Sequence, residues 1–426
     1  MNVSADSRKR IVVIGGGFAG LNFINKLDDK KFDIVLVDKN NYNSFPPLFY
    51  QVASSGVEPS SIAFPFRKEL RHRCIHKAAF HLGEAREIDA AAKTVKTQYE
   101  TIHYDILVVA AGTKNNFYGN PSLVDSVFTL KSIDEAIRIR NEVLQRCERA
   151  SIEPDATRRR QMLSFVVIGG GPAGVEVAGA LGELKRYIVA RDYPSISPDE
   201  ITITILEGTD RLLRTMSEKS SEDALKGLTD LMVDIKLNSL MKSYTDNVVT
   251  LADSSTIYSE MVIWTAGVEG AGINILNADL EKASGGRIAV DDQCRVTGAE
   301  DIFAIGDIGY NSSEKYPRGL PQLAQVAIQQ GRYVARGLNR GDFKGAFEYR
   351  DKGSMATIGR NRAVADIGKI HFSGWLAWMA WMFIHLLSLM GMRNRVSVLL
   401  NWMWAYFTYN TSLRLLFKGT RYPLRD

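Results

Sequence analysis

The sequence predicts an α/β protein built from two Rossmann-like dinucleotide-binding domains, one of them discontinuous, followed by a helical C-terminal region rich in apolar and aromatic residues. Three observations predict it. A G-x-G-x-x-G turn follows an apolar strand at Gly15, a second copy returns 154 residues later at Gly169, and the chain from Arg340 onward is basic, aromatic and apolar.

At 426 residues the chain is long for one domain, and two or three are expected. Its composition, 45% apolar and 24% charged, is that of a globular protein. The net charge of +5 is unevenly spread, because thirteen Lys/Arg face five Asp/Glu between Arg340 and Asp426 and the preceding residues are net acidic. Trp, Tyr and Phe interleave that basic tail, so an anionic lipid surface fits it as a partner and nucleic acid does not. Cys74, Cys147 and Cys294 are far apart, which excludes a disulfide framework, a zinc site or a C-x-x-C pair and leaves three small buried hydrophobes. No metal site is expected. The polar N-terminus runs into the first strand without an apolar segment or cleavage site, so the protein is expected not to be exported.

The first unit is strand, turn, helix, strand. Arg10–Ile14 is apolar and ends in Gly15-Gly16-Gly17-Phe18-Ala19-Gly20; helical periodicity continues to Leu27, and the strand Phe32–Val37 ends in Asp38 and Lys39. Ile106–Ala111 reads as a buried strand closing on Gly112-Thr113. The polar, basic stretch Arg149–Gln161 reads as a linker. After it the opening pattern returns: strand Leu163–Ile168, turn Gly169-Gly170-Gly171-Pro172-Ala173-Gly174, helix Val175–Ala190, strand Ile201–Leu206 ending in Glu207. Tyr193–Pro198 is read as a surface insertion. Met261–Trp264 followed by Thr265-Ala266-Gly267, and Ile302–Ile305 followed by Gly306-Asp307, are strands that end against a ligand. Leu320–Leu338 is a helix loaded with Gln. Trp375–Met392 is apolar for 18 residues, and Val396–Tyr409 is apolar again beyond Arg393 and Arg395.

The glycines have a physical purpose. A pyrophosphate must lie close to backbone, so the first glycine makes the tight turn, the second lets the chain approach the phosphates, and the third lets helix pack on strand. The helix N-terminus then presents unpaired N–H groups to the anion. Gly15, Gly17 and Gly20 fit these roles, as do Gly169, Gly171 and Gly174. Asp38 and Glu207 end the following strands, where a carboxylate accepts hydrogen bonds from ribose hydroxyls. It also repels a 2′-phosphate, so Glu207 predicts NADH over NADPH.

Two such loops could hold two nicotinamides. In two-dinucleotide flavoproteins, however, a second Gly-Asp strand returns to an FAD domain, and Ala304-Ile305-Gly306-Asp307 resembles it. That resemblance implies FAD on the first loop, Asp307 at its ribityl chain, and the helix beginning near Leu320 aimed at the flavin ring. The expected FAD domain is 1–118 plus 285–340, the NADH domain 119–284, and the membrane-anchoring region 341–426.

The acceptor is bounded by what is missing. Between Asp38 and Phe66 there is no Cys, so the thiol relays of disulfide reductases are excluded there and sulfide:quinone oxidoreductases are disfavoured for the same reason. Instead the chain reads Asn40-Asn41-Tyr42-Asn43-Ser44-Phe45-Pro46-Pro47-Leu48-Phe49-Tyr50-Gln51-Val52-Ala53. This segment resembles the one in type II NADH:quinone oxidoreductases, the single-subunit, non-pumping respiratory enzymes. Ala324-Gln325-Val326-Ala327-Ile328-Gln329-Gln330-Gly331 is similar to that family's quinone motif, and Gly169 to Leu181, with Glu176, to its NADH loop. The resemblance implies hydride transfer from NADH to FAD and two electrons onward to menaquinone or ubiquinone. It also implies a homodimer attached monotopically to the cytoplasmic face of the inner membrane. Asn43 and Pro46 depart from it, where relatives commonly carry His and often Gln, and this places acceptor preference in question.

Gln325 and Gln329, four residues apart, share a helix face, and an amide can donate to a quinone carbonyl without placing fixed charge in an apolar slot. Glu176, in the first turn of the second helix, is expected either to serve nicotinamide and flavin chemistry or simply to complement the helix dipole. Trp375–Met392 meets the length rule for a span, but Arg393 and Arg395 follow at once, and the Trp and Tyr residues resemble an interfacial belt. Helices lying in one leaflet are expected, with a true span or a dimer interface as alternatives. Two rival functions remain at this point: a soluble NADH-dependent reductase of ferredoxin or oxygen, and an NADH-binding regulator without turnover.

Overall fold

The computed structural model describes residues 8–72, 78–277, 283–408 and 413–416. Cys74 and Tyr409 lie outside the described residues. The chain divides into two compact units, Met1–Asn43 with Phe64–Lys114 and Val268–Asp351, and Ser44–Ala63 with Asn115–Gly267 and Lys352–Asp426.

The first unit is organised by a five-stranded parallel sheet in the order Ile302–Ala304, Ile106–Val109, Lys9–Ile14, Phe32–Asp38, Ala79–Leu82. Its central strands are continuous apolar runs because both faces are covered. Val12, Ile14, Val35, Val37, Leu107 and Val109 fill one core, while Ile11, Val13, Leu36 and Val108 are fully buried on the opposite face. The helices Phe18–Lys26 and Ala324–Arg340 pack so closely that a Cβ at Gly331 would stand 2.4 Å from the Ala19 carbonyl oxygen. The second of these helices starts at Ala324, four residues later than the sequence suggests. Pro321 keeps Leu320 extended, with the Leu320 N–H donating to Asn311 O at 2.8 Å. Gly341, at φ +74°, closes the helix.

The second unit repeats the design. Its parallel sheet runs Phe128–Thr129, Met261–Trp264, Ser164–Ile168, Thr202–Leu206, Asp234–Lys236, with the glycine-loop strand again in the centre. The expected linker at Arg149–Gln161 is instead the end of one helix, Ile133–Ile152, and most of another, Ala156–Met162. Ser132 and Asp155 cap them, and two of the arginines that suggested a solvated linker are paired, Arg158 with Glu260 and Arg159 with Glu200 at 2.6 Å. The helix after the second glycine loop runs Pro172–Glu183 and widens into a π-helical turn, Leu184–Val189.

The C-terminal residues do not form a unit of their own. A three-stranded antiparallel sheet, Ser354–Gly359, Arg362–Ile367 and Ile370–Ser373, leads into helices Gly374–Ser388 and Met392–Thr408. The segment 44–63 belongs with them, since Asn394 Nδ2 donates to Ala63 O at 2.8 Å and Ser61 and Ser397 share a hydrogen bond of 2.8 Å. The apolar run that met the length rule for a span is interrupted at Leu389–Gly391, where Gly391 has φ +78°. The remaining 15-residue helix is about 22 Å long, short of the ~30 Å of hydrocarbon. Among the described residues no helix is long and apolar enough to cross a membrane.

Candidate functional site

Each unit carries a phosphate cradle, and the two match glycine by glycine. Gly15 turns at φ +97° and Gly169 at φ +105°, and at both a Cβ would strike backbone, 2.4 Å from Ala110 O and 2.8 Å from Ala266 Cα. Gly17 and Gly171 have nothing within 4 Å of the Cβ position, which leaves space for a ligand's phosphates. At Gly20 and Gly174 a Cβ would lie 2.0 and 1.8 Å from the carbonyl oxygen of the first glycine, so helix and turn are in backbone contact. Neither helix has a side-chain N-cap; their first N–H groups are available to an anion. This geometry fits a dinucleotide at both places.

The strand-end acids tie the turns. Asp38 accepts from Gly16 N at 2.7 Å and Asn40 N at 2.8 Å; burial raises its carboxyl above the usual range against those bonds. Asn43, one of the departures from the family pattern, donates to Gly16 O at 2.8 Å and so braces the first turn. Glu207 accepts from Gly170 N at 2.6 Å and from Thr209 N and Oγ1 at 2.8 and 2.7 Å. A carboxylate fixed there is expected to give at least about tenfold higher kcat/KM for NADH than for NADPH. Glu207→Gln should narrow the ratio, and equal rates for both nucleotides in the parent protein would contradict this role.

Around the first cradle, Gly306 turns at φ +73° beside Ala19 and Ala327, and its N–H donates to Gln330 Oε1 at 2.7 Å. Gln322 Nε2 donates to Asp307 O at 3.1 Å, and the helix at Ala324 begins without a side-chain cap. Gly112, at φ +69°, leads into Thr113, and Lys39 follows Asp38. Gln325 and Gln329 are both engaged: Gln325 Nε2 lies 3.5 Å from Asp351 Oδ1, and Gln329 exchanges two hydrogen bonds, 2.9 and 3.1 Å, with the Arg350 backbone. Around the second cradle, Gly267 turns at φ +147° against the Tyr118 hydroxyl, which donates to Ala266 O at 2.7 Å.

The helix of the second cradle also builds a pocket. One turn past Gly171 and Pro172 it places Glu176, and two turns further Glu183, along a cavity of about 170 Å³ that is walled by Tyr50, Trp378, Trp381, Trp402 and Tyr406. Burial pushes the Glu176 carboxyl up to about 8, outweighing a hydrogen bond from Thr357 N. Burial likewise raises Glu183, which accepts from Arg360 N. The Tyr50 hydroxyl accepts from Gln51 Nε2 and Thr357 Oγ1, both at 2.9 Å, and Gln51 Oε1 accepts from Trp402 Nε1 at 2.7 Å. His385, stacked on Trp381 at 4.0 Å, is held neutral, its pKa lowered to about 4 by burial. The arrangement is an aromatic slot whose chemistry suits a flat ring, with the carboxyls of Glu176 and Glu183, the Arg360 side chain and the Tyr50 phenol on its wall.

Sequence reasoning reached Glu176 but not Tyr50, Gln51, Glu183, Thr357 or Trp402. Their convergence depends on three distant segments. One signal was available for Gln330, an amide at a core position of the helix. Cys147 and Cys294 are buried, and burial raises both thiols, Cys147 to about 12.

Residues 9–331 match the family model described as "Pyridine nucleotide-disulphide oxidoreductase", the class that paired cradles of this build define. Residues 352–408 match the "NDH2 C-terminal domain". The chain is 34% identical to the type II NADH:quinone oxidoreductase Ndh of Mycobacterium tuberculosis, over 93% of this chain and 87% of that one. It is 27% identical to a probable NADH dehydrogenase of Dictyostelium discoideum, over 93% and 89%. The fold is that of NDH2 from Plasmodium falciparum, solved in complex with NADH, at a TM-score of 0.88, 20% identity and coverage of 96% and 100%. The chain belongs to the type II NADH:quinone oxidoreductases.

Proposed function

We infer that the chain oxidises NADH and reduces a membrane quinone with FAD as its cofactor, and does not pump protons. The observation that carries this reading is the helix Pro172–Glu183, whose N-terminus is a dinucleotide cradle and whose next turn holds a protonated carboxyl in an aromatic slot. FAD, when bound, supplies the two-electron chemistry between nicotinamide and quinone. The first cradle, with Gly15, Gly17, Phe18, Ala19, Gly20, Asp38, Lys39, Gly112, Thr113, Gly306 and Asp307, is proposed to hold it. Gly169, Gly171, Pro172, Gly174, Glu207 and Gly267 are proposed to hold NADH.

Protonated below about pH 8, Glu176 can give a proton to a quinone oxygen, and the surrounding Trp and Tyr rings exclude water from the exchange. Gln329 fastens the 350 loop. Gln325 is proposed as an amide that contacts quinone, and Gln325→Ala is expected to slow quinone reduction. Menaquinone and ubiquinone analogues should both be tried as acceptors. Turnover with water-soluble acceptors alone, ferredoxin included, would favour the soluble-reductase reading.

Membrane attachment is proposed through the two C-terminal helices. Leu376, Phe383 and Leu387 on one, and Leu400, Trp404 and Phe407 on the other, are 52–77% exposed, far more apolar surface than a soluble face carries. Lying in one leaflet at the cytoplasmic face of the inner membrane, they bury that surface, and the basic tail meets anionic headgroups. Each such side chain contributes about 1.5–3 kcal/mol when buried. Phe383→Glu, Leu387→Glu and Phe407→Glu together are therefore expected to weaken vesicle association about a hundredfold or more in a flotation assay. Undiminished flotation would contradict the anchor. A homodimer is the assembly the family resemblance carries, and the mass in detergent reads it.

A further inference from the structure

The hydrogen bonds around Tyr50 do more than hold it in place. A phenol has two acceptor positions and one proton to donate. Trp402 Nε1 is a donor only, so the oxygen of the Gln51 amide must face it at 2.7 Å, and the amide nitrogen must then face Tyr50. Gln51 Nε2 fills one acceptor position of the phenol at 2.9 Å and Thr357 Oγ1 fills the other, also at 2.9 Å. The phenol proton is left for a third partner, and the cavity that Tyr50 lines together with Glu176 offers the place for one. Tyr50 is 9% exposed, and its ring is held edge-on to Trp381 at 6.2 Å, so neither ring nor hydroxyl is free to turn away. Burial holds the phenol protonated.

We propose that Tyr50 is the hydrogen-bond donor to the quinone carbonyl, and that Trp402 is a positioning residue that aims it by fixing the orientation of the Gln51 amide. This rests on the reading of the cavity as the quinone site. It gives Trp402 a reason to be tryptophan. The residue sits in the helix Met392–Thr408, whose opposite face carries the exposed Leu400, Trp404 and Phe407, and its indole nitrogen links that helix to the reacting wall. An aromatic ring without the N–H would pack equally well and leave the Gln51 amide free to flip.

A double-mutant cycle on the full-length, FAD-loaded protein in detergent tests the chain of command. Tyr50→Phe is expected to lower kcat/KM for a short-chain quinone analogue by about tenfold, the value of one buried hydrogen bond to substrate, mainly through KM. Trp402→Phe and Gln51→Met are each expected to cost a few-fold alone, and nothing further when combined with Tyr50→Phe. Flavin content and melting midpoint show that each variant is folded, and two independent positioning variants keep the test decisive should one of them not fold. Trp402→Phe and Gln51→Met losses that add in full to that of Tyr50→Phe would overturn the positioning role. An unchanged kcat/KM in Tyr50→Phe would overturn the donor role. A parent protein that reduces no quinone at all would instead overturn the function on which both rest.

Discussion

Glu176→Gln is expected to lower quinone turnover by about a hundredfold or more, the usual contribution of a positioned proton donor, while the protein still loads FAD. Glutamine keeps the size of the side chain and can still accept from Thr357 N, so a loss of this size reads the proton and not the packing. The parent rate should fall as pH rises through about 8, where Glu176 loses its proton; the variant should lack that limb. Stability carries the same signature. The carboxyl is raised from 4.5 to about 8 in the folded chain, so folding takes up a proton between those values and the parent loses stability as pH rises through them. The melting midpoint of Glu176→Gln minus that of the parent should therefore grow from pH 5 to about 8 and then level off. Unaltered quinone kinetics would reduce Glu176 to a buried structural carboxyl.

The second large effect separates the two cradles. At Gly20 and Gly174 the obstructing atom is a backbone oxygen, 2.0 and 1.8 Å from where a Cβ would stand, so no side chain can move aside and the helix must lift from its turn. Gly20→Ala is expected to yield a colourless or weakly coloured protein that has lost FAD. Gly174→Ala is expected to stay yellow and to show KM for NADH raised by at least about a hundredfold, because the N–H groups at Gly171 no longer meet the pyrophosphate. One substitution is expected to empty the cofactor site, its twin to spare colour and block the donor. Loss of flavin from Gly174→Ala with flavin retained in Gly20→Ala would reverse the assignment of the loops.

Much of this was legible in the residues because it is local. A glycine turn between an apolar strand and a helix, closed by an acid at the next strand end, is written in consecutive positions, and both cradles have the expected glycine geometry. Element ends were less legible where one residue decides them. Pro321 delays a helix, Gly391 divides another, and Ser132 and Asp155 turn an apparent linker into helix. The pocket was the least legible. Tyr50 lies more than 300 residues from both Thr357 and Trp402, and they meet because segment 44–63 packs with the C-terminal sheet and helices. No periodicity links them. Glu176 illustrates the boundary: the sequence placed it in the first helical turn, but the helix begins at Pro172 and carries it one turn further on, and its raised pKa comes from burial among segment 44–63 and the C-terminal residues.

Visible absorbance of the purified protein, recorded without oxygen, reads whether it carries a flavin that NADH reduces and quinone reoxidises. A yellow protein is expected, its flavin band bleaching on addition of NADH and returning when a quinone analogue is added. A colourless protein that takes up no FAD, or a flavin band that NADH leaves untouched, would contradict the proposed function.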